Sequence, residues 1–87
     1  MAEPKIERVD ESILEKQAKE IAGLRYEQVA YFIECLEENI RREAEKDEDK
    51  GRLKLASTLF DASDNLEIAR KYVSQAWKIC KPYMPKD

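Results

Sequence analysis

The sequence contains no histidine, only two glycines and only three prolines, and each proline lies within six residues of an end of the chain. Without histidine the chain lacks the commonest general base and the commonest metal ligand of proteins. This excludes Ser-His-Asp triads and histidine-containing zinc sites. So few chain-breaking residues also disfavour an all-β fold, which needs many turns. These absences favour an all-helical protein without catalytic activity.

Closely spaced cysteines and long apolar runs are also missing. Cys35 and Cys80 stand 45 residues apart, so no CxxC motif is present for a zinc ribbon or a thioredoxin-like site. The longest uninterrupted apolar run, residues 29–33, is far shorter than the ~18 residues of a membrane span. The first residues lack the apolar core of a signal peptide. We therefore expect a cytoplasmic protein with reduced thiols, no cofactor and no membrane partner.

The charges are numerous and unevenly placed. The chain carries 16 basic and 19 acidic residues, for a net charge of −3. Residues 1–50 hold 9 basic and 15 acidic residues, whereas residues 66–87 hold 5 basic and 2 acidic residues. Opposite signs in the two halves favour packing of one half against the other. The acidic half argues against a scaffold for nucleic acid.

The first half has the pattern of a long amphipathic helix. Ser12 and Glu15 have the spacing of a capping box. Gly23 is the weak point, since glycine inside a helix costs about 1 kcal/mol relative to alanine. The apolar stripe keeps its phase across Gly23, so the sequence favours one continuous helix over about 12–46, with a break near Gly23 as the alternative. The stripe recurs in steps of three and four: Leu14, Ala18, Ala22, Tyr26, Val29, Ile33, Leu36 and Ile40.

The second half repeats apolar residues over four heptads, which predicts a second helix over about 51–83. The polar segment 61–65 interrupts the composition but not the phase, and it is interpreted as a bend or a surface cluster. Pro82 and Pro85 are expected to end the helix. The apolar residues are Leu55, Leu59, Ala62, Leu66, Ala69, Val73, Ala76, Cys80 and Tyr83.

These two patterns predict a single helical domain over residues 12–84, preceded by a flexible arm (1–11) and followed by a short tail (85–87). The charged segment 46–51 is predicted to be the turn between the helices. Folding the chain at 48–49 pairs residues whose numbers add up to about 97, and apolar residues then face each other in nearly every layer. The predicted fold is an antiparallel helical hairpin of two long helices.

The hairpin has more apolar surface than one helix–helix seam can bury. Two solutions stay open: dimerisation of two hairpins into a four-helix bundle, or a three-helix bundle in which a helix ending near Gly23 covers the remaining surface. We expect a homodimer, and a different protein partner would use the same surface. The candidate dimer or partner contacts lie outside the main stripes: Ile68, Tyr72, Trp77, Ile79, Leu24 and Tyr31.

The sequence thus predicts a small non-catalytic helical module for protein interaction or regulation. No metal site is expected, because Glu34, Glu37 and Glu38 fall on the predicted solvent side and segment 47–51 lacks the spacing of a calcium loop. The alternative is a nucleic-acid-associated regulator that uses the basic face of the second helix, although nucleic acid is the less favoured partner. That face would consist of Arg70, Lys71, Lys78 and Lys81.

Overall fold

The computed structural model describes residues 8–85, and every regular element in that range is helical. Helix α1 spans Glu11–Ala22, α2 spans Tyr26–Asp49 and α3 spans Leu53–Cys80, and a short 3₁₀ turn, Lys81–Tyr83, follows. The all-α prediction is therefore confirmed for this part of the chain. The predicted arm and tail fall largely outside the described residues. None of the described helices is long and apolar enough to cross a membrane.

The break at Gly23 corrects the expectation of one continuous first helix. The amide of Gly23 donates to the carbonyl of Lys19, the amide of Leu24 donates to that of Ile21, and Arg25 is extended with ψ 145°. Helix α2 then starts anew and packs along α3, while α1 contacts only α2, next to this corner. In the register of the hairpin α3 ends about level with residue 20, so most of the N-terminal part of a continuous first helix would have no partner helix to offset the penalty of a helical glycine.

A three-residue connection joins α2 to α3. Helix α2 continues to Asp49, so the connection begins later than the predicted 46–51. The amide of Arg52 donates to the carbonyl of Asp47 at 2.8 Å, and the amide of Gly51 donates to that of Glu48 at 3.0 Å. This is a Schellman motif, and Gly51 supplies its left-handed residue with φ 80°. The Arg52 side chain also donates to the Asp47 carboxylate at 3.1 Å, so Asp47 is buried rather than solvated.

Helix α3 runs unbroken through the polar segment 61–65, as its heptad phase predicted. The register of the helix pair, that is, which residue of α3 lies beside which residue of α2, differs from the prediction. Ser63 lies beside Glu37, whereas folding at 48–49 would have placed residue 60 there. The later turn accounts for this shift of three residues. The antiparallel pairing is confirmed for α2 and α3, whereas the described chain has three helices rather than the two long ones predicted, with the break near Gly23 that was the alternative. The register is corrected by nearly one helical turn.

The most deeply buried residues of the seam between α2 and α3 are small or polar, and the residues of the predicted apolar stripes lie beside them, half-buried or exposed. Three of the four buried residues of α2 share a seven-residue spacing, and so do the two buried residues of α3. The α3 residues of this seam stand one position after Leu55, Ala62 and Ala69, which are exposed. Each helix is therefore rotated from the predicted contact by less than one residue step of about 100°, because the stripe residues Ile33, Ile40, Leu59 and Leu66 stay half-buried at the edge of the seam. The buried seam residues are Ala30, Glu37 and Ala44 in α2, with Ala56 and Ser63 in α3.

The left-handed backbone of Gly51 leads to a test of the turn. Replacing Gly51 with alanine should destabilise the protein by about 1 kcal/mol, because an L-residue resists this conformation. No atom lies within 4 Å of the added methyl group, so steric overlap does not contribute. The measurement is the urea midpoint of unfolding followed by circular dichroism.

Gly23→Ala is the matched control, because Gly23 has a negative φ of −83°. It should leave the midpoint unchanged or raise it slightly, since alanine restricts the unfolded chain. Equal midpoints for the two variants would contradict the turn geometry described here.

Candidate interaction surface

A charged layer crosses the middle of the α2–α3 seam. Glu37 is only 8% exposed, and its carboxylate accepts a hydrogen bond from Arg70 Nε at 3.1 Å. A guanidinium nitrogen of Arg41 lies 3.9 Å from the other carboxylate oxygen. Ser63 is fully buried, and its hydroxyl donates to the backbone carbonyl of Glu37 at 3.1 Å. The layer fixes one level of α2 against one level of α3, because a shifted helix would leave a buried charge unpaired.

The positions of this layer differ from those expected. Glu37 was predicted on the solvent side, Ser63 in a surface cluster and Arg70 on an outer basic face. All three lie on the seam because they occupy the seven-residue lines of Ala30–Ala44 and Ala56. The alanines at the ends of these lines were the available signal, since small residues let two helices approach closely. The prediction instead placed a neighbouring line, which contains the large apolar residues, in the seam.

Residues that follow the seam by one position form a charged face on one side of the hairpin. Arg41 reaches Asp64 at 3.4 Å, and Lys71 reaches Glu67 at 3.2 Å. The hydrogen bond from Lys71 is the main cause that holds the pKa of Glu67 below its ordinary value. The hydrogen bond to Glu37 likewise raises the pKa of Arg70, which stays fully protonated. Ion pairs thus occupy much of this face, which also carries the exposed Tyr31.

Residues that precede the seam by one position lie on the opposite side, and all of them except Glu43 are apolar. Two right-handed helices that run in opposite directions place these positions on the same side of the hairpin. Most of these side chains are exposed or half-buried. This apolar face comprises Val29, Phe32, Ile33, Leu36 and Ile40 of α2 with Leu55, Leu59, Ala62, Leu66, Ala69, Val73 and Ala76 of α3.

At the open end of the hairpin, the corner between α1 and α2 and the end of α3 form a groove of about 360 Å³. Leu24, Tyr26 and Trp77 line it, and the Arg25 guanidinium lies 4.9 Å from the centre of the Trp77 ring. Such a cation–π contact contributes on the order of 0.5–1 kcal/mol at an exposed site. Leu24 and Trp77, both predicted contact residues, thus come together here. Their role in binding another molecule stays a prediction.

The other predicted contact residues lie on outer edges of the hairpin. Ile68, Tyr72 and Ile79 are exposed on α3, with Tyr72 at 67% and Ile79 at 73%. Tyr31 is exposed on α2, and a hydrogen bond with the thiol of Cys35, one turn later, is the main cause that raises the pKa of Tyr31. The structure does not join these residues into one patch with Leu24 and Trp77.

The predicted basic face divides into paired and exposed residues. Arg70 is bound to Glu37 in the seam and Lys71 to Glu67 on the surface. Lys78 and Lys81 are exposed near the end of α3. Cys35 and Cys80 are both free thiols. Within residues 8–85, no three metal-ligating side chains lie close enough together to hold a metal ion.

Comparison of the chain with protein-family models, with curated proteins and with solved structures finds no match in any of the three. The described part of the chain has three main features: an ion-paired face, an apolar face and a polar seam that separates them.

The buried charge pair generates a double-variant test. Arg70→Met should lower the urea midpoint of unfolding, because it removes the closest cationic partner of the Glu37 carboxylate. The double variant Glu37→Met/Arg70→Met should lose less stability than the single variant, since apolar replacement of both partners leaves no buried charge behind.

A suitable control is Lys71→Met, which breaks the exposed pair with Glu67 and should change the midpoint little. If Arg70→Met behaved like Lys71→Met, the Glu37 pair would not constrain the seam.

Proposed function

We propose that this chain is a non-catalytic protein-interaction module that dimerises through its apolar face to form a four-helix bundle. The apolar face carries the proposal, because Phe32, Leu36 and Leu55 are exposed on it and its other large residues are only half-buried. Each hairpin would then bury, against its partner, the apolar surface that stays accessible in the single chain. A homodimer with two-fold symmetry is the commonest closed arrangement of this kind.

The size of the apolar face suits a stable interface. Helix α2 has 24 residues, which corresponds to a length of about 36 Å. Two adjacent helices of ~10 Å diameter give a width of about 20 Å, and hence a footprint of roughly 700 Å². Standard protein interfaces bury ~800 Å² on each partner. At about 25 cal/mol per Å² of apolar area, covering this face is strongly favourable.

Helix α1 is too short to cover this face. Its 12 residues span only about 18 Å, half the length of the hairpin. In the structure α1 contacts α2 next to the corner and does not extend over the face. Leu14 and Ile13 on α1 are themselves exposed. A second hairpin therefore supplies a better match in length and width than α1 does.

The charged residues support a structural rather than a catalytic role. Glu37, Arg70, Asp47 and Arg52 face one another in ion pairs instead of converging on an open pocket. The two free cysteines suit a reducing compartment, so we propose the cytoplasm as the location. The nucleic-acid alternative is the weaker one, because two of its four basic residues, Arg70 and Lys71, are engaged by carboxylates, which leaves Lys78 and Lys81 as its exposed basic residues.

A charge placed on the apolar face tests the proposal. Light scattering behind a sizing column should give the wild-type protein a mass of twice 10.2 kDa. Ala62→Glu should weaken dimerisation at least a hundredfold, because burial of an unpaired carboxylate costs several kcal/mol. A dilution series from micromolar to nanomolar concentration measures the dissociation constant.

The matched control is Ser57→Glu, which puts the same charge at an exposed α3 position on the charged side of the hairpin. It should keep the wild-type dissociation constant and helicity. A monomeric wild-type protein at all concentrations, or equal effects of the two variants, would refute dimerisation through this face.

A further inference from the structure

Two hairpins that share an apolar face have two symmetric ways to meet. With the turns at the same end, α2 of each copy packs on α3 of the other. With the turns at opposite ends, α2 packs on α2 and α3 on α3. Both arrangements keep neighbouring helices antiparallel, so helix direction does not choose between them. The side chains at the outer edges of the apolar face do choose.

The two edges of the apolar face differ in side-chain size. The α2 edge carries the large residues Phe32 and Leu36, which are 43% and 41% exposed. The α3 edge carries Leu55 near the turn and then Ala62, Ala69 and Ala76 at the same seven-residue spacing. Well-packed helix interfaces set large residues against small ones, because facing layers then interdigitate without voids. This requirement is met when the α2 edge of one copy lies on the α3 edge of the other.

The charges of the two helices favour the same arrangement. Helix α2 contains nine acidic and three basic residues, whereas α3 contains three acidic and four basic residues. Pairing α2 with α2 would bring two strongly acidic helices side by side. Pairing α2 with α3 separates the acidic helices to a diagonal of the bundle. Like charges across an interface are unfavourable, so the electrostatic preference agrees with the size preference.

We infer that the occupant of the apolar face is a second copy of this chain, docked with both interhelical turns at the same end of the bundle. The inference rests on the proposed function and specifies its partner and geometry. The hairpin register places residue 37 level with residue 63. At the same level in the dimer, Phe32 of one copy lies over Ala69 of the other, and Leu36 lies between Ala62 and Ala69.

The distance between the two turns tests the orientation. Lys50 is exposed at the turn, and Lys50→Cys accepts a nitroxide label in a chain that carries Cys35→Ser and Cys80→Ala. Double electron–electron resonance then measures the separation of the labels in the dimer. Turns at the same end lie about two helix diameters apart, so we expect a separation below about 30 Å. Turns at opposite ends would be separated by the length of α2, about 36 Å, or more.

Light scattering on the labelled protein distinguishes a wrong orientation of the dimer from the absence of a dimer. A dimer with a separation beyond about 36 Å would overturn the inferred orientation and leave dimerisation standing. A monomer without dipolar coupling would overturn the proposed function together with the inference. The unlabelled chain with both cysteines replaced must show the wild-type mass and helicity. If it does not, a Lys50→Cys chain that keeps both native cysteines is labelled briefly, so that the exposed introduced thiol reacts before the half-buried thiols of Cys35 and Cys80.

A size exchange tests the individual contact. Phe32→Ala should weaken dimerisation at least tenfold by leaving a cavity, and Ala69→Phe should do so by overfilling the space. The double variant Phe32→Ala/Ala69→Phe should recover most of the lost affinity, because one large and one small residue again meet. Within the chain both residues are exposed, so each variant should keep the helicity of the wild type. Additive losses in the double variant would show that the two positions do not meet across the dimer.

Discussion

The ion pair between Glu37 and Arg70 is the constraint on which the hairpin depends. A carboxylate that is nearly buried needs its cationic partner at hydrogen-bond distance, and Ser63 can be fully buried because its hydroxyl bonds to the backbone of α2. Together these contacts determine which side of α3 faces α2. The apolar residues one position earlier, such as Ala62, then turn to the outside. The apolar face follows from the polar seam.

A buried ion pair is a weak source of stability, because desolvation offsets most of the attraction between the charges. Its value here lies in specifying one register and one rotation, as polar residues do at single positions of coiled coils. A seam made of the heptad leucines and alanines would bury more apolar area within the chain. It would also leave no surface for association. In our account, dimerisation and folding are therefore linked, with the monomer exposing what the dimer buries.

Much of the fold could be predicted from the sequence, and the failures have identifiable causes. The heptads of α3 predicted its full length through residues 61–65, and the positions of Pro82 and Gly51 indicated where α3 ends and the turn lies. The rotation of the seam could not be predicted, because helical periodicity gives the apolar side of a helix without saying which partner covers it. The prediction of a continuous helix across Gly23 rested only on the phase of the apolar stripe in the first half of the chain. Whether a partner helix is long enough to support α1 is a tertiary property.

The measurement that most directly tests the central claim is a nuclear Overhauser experiment on the isotopically labelled protein mixed with unlabelled protein, so that contacts within one chain are separated from contacts between chains. The account predicts intrachain contacts between the β-protons of Ser63 and the backbone protons of Glu37. Intrachain contacts between the Ala62 methyl group and Leu36 in their place would contradict it. That result would return the heptad stripe of α3 to the seam and leave no extended apolar face to dimerise.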